Sequence, residues 1–225
     1  MYKGIDPCLL FDQIFLPSLA TLKVTMYGFS TSEWQHLLPL LKRSRPPLLS
    51  LELDGVPMTE QTLIECLSYM PKLTELTFGG IDCSDSTLVA LTVDNDEGVP
   101  SANLCPLLQV IGIGTSSFSA IALKNMILSR WVDPAAPTTS LPRKSLEIVR
   151  CPAFEIYSAL SDPAIVNCLR NGLKMVEWEA DVDQEDDEDD DSDSDTDVDD
   201  TDDGGYDTEE EDWEEEGGDD PDLLQ

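Results

Sequence analysis

One histidine, His36, and six cysteines, Cys8, Cys66, Cys83, Cys105, Cys151 and Cys168, carry most of the nucleophilic and metal-binding potential of this 225-residue chain. A Ser-His-Asp or Cys-His centre needs a base within hydrogen-bond reach of its nucleophile. Here every such centre would depend on His36 alone, which falls on the polar side of a predicted helix. The cysteines show no C-x-x-C pairing, so neither a zinc site nor a redox pair is spelled out. Scattered on apolar faces, they read as small reduced core residues of an intracellular protein. No Walker loop, no G-x-G-x-x-G after a strand and no H-E-x-x-H occurs. The expectation is no enzyme, no cofactor and no metal.

A second chemistry is written in the acidic end of the chain. Residues 177 to 225 hold 29 of the 46 acidic residues and none of the 13 basic ones, leaving residues 1 to 176 with a net charge of −4. Within this tail Asp199, Thr201, Asp203, Gly204, Tyr206, Asp207 and Glu210 occupy positions 1, 3, 5, 6, 8, 9 and 12 of an EF-hand loop. Such a loop needs flanking helices, and the preceding residues 192 to 198 alternate hydroxyl with Asp and offer no apolar stripe. The spacing follows from composition, and diffuse cation binding is the expectation. Ser192, Ser194, Thr196 and Thr208 are each followed three residues later by an acid, the pattern read by casein-kinase-type enzymes. Phosphorylation would add about −1.5 to −2 charge at each. With almost no aliphatic residues, positions 179 to 225 are expected to be disordered and to solubilise the chain or attract basic proteins such as histones. The same field opposes direct nucleic-acid binding, which Lys42, Arg43 and Arg45 are too few to reverse.

The elements that would position any binding residue are set by a repeat. Pro17, Leu19, Leu22 and Val24 return as Pro46, Leu48, Leu51 and Leu53, as Pro71, Leu73, Leu76 and Phe78, and as Pro106, Leu108, Ile111 and Ile113. Weaker copies place Leu146 with Ile148, and Leu173 with Val176 and Trp178. Aligned on Leu22, Leu51, Leu76, Ile111, Leu146 and Val176, the steps are 29, 25, 35, 35 and 30 residues. In each copy alternate aliphatic residues point to one face of a short strand, which stays folded only with neighbours beside it and a cover behind. Covering helices are expected at Ser32 to Arg43, kinked at Pro39; after Thr59, with Leu63, Cys66, Leu67 and Met70 inward; from Ser84 or Asp85 to Leu91; from Ser117 or Ser119, with Ala120, Leu123 and Ile127 inward; and between Asp162-Pro163 and Gly172. Val93 to Asn103 and Asp133 to Pro142 read as insertion loops.

The spacing predicts an α/β leucine-rich-repeat solenoid over residues 1 to 178, with a parallel sheet of about six short strands backed by helices, followed by a disordered acidic tail over 179 to 225. No apolar run suits a signal peptide or a membrane span, so a soluble cytoplasmic or nuclear protein is expected. The outward strand positions Lys23, Glu52, Thr77, Gly112, Glu147 and Glu177, flanked by Asp54 and Glu75, form the row where a protein partner would dock.

The stretches Cys-Pro-Leu-Leu-Gln-Val-Ile-Gly-Ile at 105 to 113 and Met-Pro-Lys-Leu-Thr-Glu-Leu-Thr-Phe at 70 to 78 resemble the leucine-rich region of F-box proteins, especially the large sets of mushroom-type fungi. The resemblance spans about residues 8 to 178. It implies repeats that select a substrate for a cullin ubiquitin ligase, joined by an N-terminal F-box to the Skp adaptor. No F-box precedes the repeats here, so the expectation is the substrate-binding part, without the Skp contact. The layout is also similar to the acidic leucine-rich nuclear phosphoproteins, which implies action on histones. That family carries Asn three residues after the last leucine, where this chain has Tyr27, Val56, Ile81, Ser116 and Cys151.

Overall fold

The computed structural model describes residues 8–26, 33–93, 103–114, 117–132 and 145–178. The chain divides into two units, Met1–Asp183 and Gln184–Gln225, and every described residue belongs to the first. Six strands, β1 (Thr21–Thr25), β2 (Ser50–Asp54), β3 (Glu75–Gly79), β4 (Val110–Ile113), β5 (Ile148–Cys151) and β6 (Lys174–Glu177), pair in parallel in chain order. The described helices are α1 (Cys8–Gln13), α2 (Leu37–Ser44), α3 (Glu60–Ser68), α4 (Asp85–Leu91), α5 (Ala120–Arg130), α6 (Ala153–Leu160) and α7 (Pro163–Arg170).

The order of the strands decides where the helices go. Parallel crossovers are right-handed almost without exception, so a sheet that always grows in one direction receives all its helices on one side. Burial follows that rule. Leu51, Leu53, Leu76, Phe78, Ile111 and Ile113 are buried under the helices, whereas Glu52 and Thr77 are half-exposed and Lys23 and Arg150 exposed on the other side. Most parallel sheets are covered on both faces. Among the described residues, this one is covered by helices on one.

The register runs Leu22, Leu51, Leu76, Ile111, Val149, Met175. The first four positions agree with the sequence reading, and the last two correct it. Leu146 is fully buried three residues ahead of Val149, so it fills the first aliphatic slot of its repeat, as Leu108 does, and not the second. Val176 is 44% exposed and points outward, which leaves Met175 as the inward residue. Cys151 accordingly lies where Leu53, Phe78 and Ile113 lie in other repeats, not at the level of Val56 and Ile81.

Helix punctuation was well encoded. Thr59, Ser84, Ser119 and Asp162 each accept a hydrogen bond from a first-turn amide of the following helix. Gly172, past the end of α7, takes φ +113°, which favours glycine. Two helices differ from expectation. α2 begins at Leu37, so Pro39 falls in its first turn, where no intrahelical N–H is needed, and no kink is required. α6 was not anticipated, because Phe154 and Tyr157 are 75% and 72% exposed and break any inward stripe.

Candidate functional site

The uncovered side of the sheet is built from three outward rows. The middle row runs Lys23, Glu52, Thr77, Gly112, Arg150, Val176. Lys23 Nζ lies 2.7 Å from Glu52 Oε1, directly across β1 and β2. Glu75 is exposed opposite Ser50, and Asp54 sits between Thr25 and Gly79. The structure thus brings Lys23, Glu52, Asp54, Glu75 and Thr77 together on β1 to β3. It does not place Glu147 and Glu177 in the middle row. Glu147 precedes β5, and its Oε1 accepts a hydrogen bond from Gln109 Nε2 at 2.5 Å. Glu177 is exposed at the position opposite the buried Cys151. Both displacements follow from the register correction. Arg150 and Val176 take their places, and the signal for Arg150 was present: Val-Arg-Cys at 149 to 151 alternates as Leu-Glu-Leu does at 51 to 53.

At Gly79 of β3 and Gly112 of β4 the outward surface carries no side chain. Trp178, whose backbone N–H donates to Cys151 O at 2.9 Å, spreads its indole over Gly79, Gly112 and Gly114. A Cβ at Gly112 would stand 2.9 Å from the ring, at Gly114 2.8 Å and at Gly79 3.2 Å. Only bare Cα atoms allow that approach.

Where strands lead into helices, a cleft of about 580 Å³ is lined by Glu33, Met58, Thr59, Glu60, Asp82 and Ser84. Two of its acids, Glu33 and Glu60, serve the neighbouring helix. Glu33 Oε1 accepts from the Thr62 and Thr59 hydroxyls at 2.8 and 3.1 Å. Glu60 Oε1 accepts from Thr87 Oγ1 at 2.7 Å, from Thr87 N and Ser84 N at 2.9 Å each and from Ser84 Oγ at 2.8 Å. Asp85 accepts from Ser119 N at 2.5 Å and Oγ at 2.8 Å. Glu33, Glu60 and Asp85 therefore each hold the cap of the next helix. The Thr62 hydroxyl holds Glu33 below the usual carboxylate range. Burial pushes Glu60 up, but the donors from Thr87 and Ser84 outweigh it and leave its carboxyl lowered. This relay was missed from sequence, although Thr59-Glu60 and Ser84-Asp85 spell it as hydroxyl-acid pairs.

His36 Nδ1 meets Asp12 Oδ1 at 2.8 Å beside the Trp34 ring, an α1 to α2 surface contact. Cys66, Cys83, Cys105, Cys151 and Cys168 are free and buried. Burial pushes the thiols of Cys66, Cys105 and Cys151 up to about 12 and that of Cys83 to about 11, and raises Cys168 as well. They are protonated at neutral pH and poor nucleophiles. Among the described residues no group of three or more His, Cys, Asp or Glu could hold a metal ion. Nor is any described helix long and apolar enough to cross a membrane. The EF-hand-like residues 199 to 210 and the hydroxyls of Ser192, Ser194, Thr196 and Thr208 lie outside the described residues. No protein-family model, curated protein or solved structure matches the chain.

Proposed function

We propose that this chain is a non-catalytic protein-binding module, folded as a leucine-rich-repeat solenoid, that holds a protein partner against the uncovered face of its sheet. One observation carries the reading: a parallel sheet of sequential strands is buried on one side and presents in-register polar rows on the other. A mixed-charge face with Lys23, Glu52, Asp54, Glu75 and Arg150 suits a polar protein surface. Substrate recognition in an F-box-like protein is the role this arrangement supports best. The segregation of charge supports a second role, capture of histones or other basic proteins by the acidic residues 179 to 225.

A photo-crosslinking amino acid placed at Thr77 and, separately, at the exposed helix residue Val89 tests the face directly. Protein adducts from Thr77 and none from Val89 are expected; adducts from Val89 alone overturn the reading. Binding of purified Skp adaptor and of purified core histones to the full chain and to residues 1–178 then separates the two roles. Histone binding lost with the tail supports the second.

A further inference from the structure

Trp178 makes an unusual reach. Its backbone extends β6 beside β5, yet its ring crosses β5 to lie on β4 and β3, strands with which β6 does not pair. The recess it enters has a floor of Gly79, Gly112 and Gly114. Thr77 bounds one side, its Oγ1 3.1 Å from the Cβ position of Gly112, and Asp54 the other, its Oδ1 2.6 Å from that of Gly79. The strand that delivers the ring is the least buried of the sheet: Lys174, Val176 and Glu177 are exposed and only Met175 is half-buried. A flat, side-chain-free floor two strands away holds the ring as a pocket holds a ligand, while its own strand contributes little.

We propose that this recess is a recognition slot for the aromatic side chain of an extended peptide partner, and that Trp178 occupies it in cis until a partner displaces it. The proposal rests on the reading of the sheet face as a docking surface and names what that surface selects. The seated indole shows the shape of the occupant, a planar ring delivered from an extended backbone. Three glycines exclude rival side chains of the sheet, and ring faces pack well on Cα–H surface. Because the cis ring must leave first, the intact chain binds an aromatic peptide more weakly than a chain with an open slot, by the fraction of time the slot is vacant.

Two substitutions separate an open slot from a blocked one. Trp178→Ala opens it. Gly112→Ala fills it, and the clash falls on the far end of the Trp178 side chain rather than on backbone. The probe is the capped hexapeptide Val-Glu-Trp-Glu-Ala-Asp, residues 176 to 181, with a version carrying Leu in place of Trp as control. The readout is the amide resonances of Gly79, Gly112 and Gly114 in the full chain, which a stacked ring shifts. In Trp178→Ala, millimolar probe is expected to return these resonances toward their wild-type positions, and the Leu control is not. Wild type should need on the order of tenfold more probe, and the double variant Gly112→Ala/Trp178→Ala should not respond. A folded Trp178→Ala chain that ignores the probe, or answers both peptides alike, overturns the proposal, as does a responsive double variant. Should Trp178→Ala fail to fold, Trp178→Phe serves: half-saturation several-fold below wild type supports the slot, and unchanged half-saturation overturns it. A silent slot with persistent Thr77 crosslinks removes the slot alone and leaves the protein-binding face standing; a responsive slot without those crosslinks separates the two ideas in the opposite sense.

Discussion

Between β1 and β3 the inward residues Leu22, Leu51 and Leu76 follow at steps of 29 and 25 residues, whereas Ile111, Val149 and Met175 follow at 35, 38 and 26. The first half is joined on its surface, where two acids near helix starts hold the next cap: Glu33 to Thr59 and Thr62, Glu60 to Ser84 and Thr87. The second half keeps one such link, from Asp85 to Ser119, and adds a grip from inside. Arg130 of α5, 1% exposed, donates through Nε to Leu91 O at 2.5 Å, through Nη1 to Cys105 O at 2.9 Å and through Nη2 to Leu104 O at 2.6 Å. Leu91 ends α4, and Leu104 and Cys105 lie just beyond residues 94–102, with Cys105 at φ +47°. Surface side chains stitch consecutive helices in the short repeats and, through Asp85 and Ser119, across the longer step as well. A long insertion separates one helix from the next strand in sequence, so the returning chain must be gripped again, and a guanidinium with several fixed donors can grip three carbonyls at once.

The strongest way to break this comparison is Arg130→Met. Three carbonyls, those of Leu91 and Cys105 in buried contacts, would each lose a donor, and the expected cost is about 3–5 kcal/mol in urea unfolding. Arg130→Lys should recover little, because one ammonium cannot match the fork. A loss under about 1 kcal/mol would mean that the internal grip adds little to the packing and surface links of the second half. Next in size is a paired truncation. Leu51→Ala, at a fully packed position, should cost about 3 kcal/mol, and Met175→Ala, half-buried at the last strand, about 1 kcal/mol. Equal costs would contradict the picture of a well-packed inner sheet with a loosely held final strand.

Glu60→Gln sharpens the contrast on the side of the relay. It keeps the acceptor and removes the charge that strengthens four hydrogen bonds, so about 1 kcal/mol should be lost near neutral pH. The pH dependence carries a sign. With its folded carboxyl lowered below the unfolded value of 4.5, Glu60 contributes stability that is fully present above that value and is lost as pH falls through the folded one. The wild-type advantage over Glu60→Gln, followed by thermal unfolding, should therefore shrink below pH 4.5 and vanish in stronger acid.

How much of this was legible follows the same division. Leu22, Leu51, Leu76 and Ile111 sit at intact L-x-x-L-x-L copies with proline in front, and alternation alone placed them in register. The caps Thr59, Ser84 and Asp162 were legible because a hydroxyl or carboxylate ahead of an apolar stripe has few other uses. Reading failed where a repeat loses its proline. Leu146 mimics the central aliphatic because Ile148 follows it at the expected spacing, while the alternation of Val149, Arg150 and Cys151 is the better guide. That slip moved Glu147 and Glu177 into the face and left Arg150 out. The role of Trp178 was illegible in kind, since glycines from two strands and a ring from a third meet only after the sheet has formed.

The smallest effect expected has the opposite sign and lies in the second half. Glu155, in the first turn of α6, is 4% exposed, and burial pushes its carboxyl up from the ordinary 4.5. Near neutral pH the fold must therefore carry a charge it disfavours, in contrast to Glu60, whose charge four donors welcome. A raised folded value means that the native state keeps its proton after the unfolded chain has released it, so stability falls as pH rises from 4.5 through the folded value. Glu155→Gln removes the charge and keeps the shape. The expected result at pH 7 is a gain of about 0.5–1 kcal/mol, with no gain well below pH 4.5, where both side chains are neutral. Thermal unfolding of wild type and variant across pH 3 to 8 measures the difference. A loss at neutral pH would mean that the carboxylate is held by a donor worth more than its burial costs, and that α6 uses its first-turn acid as α3 and α4 use theirs.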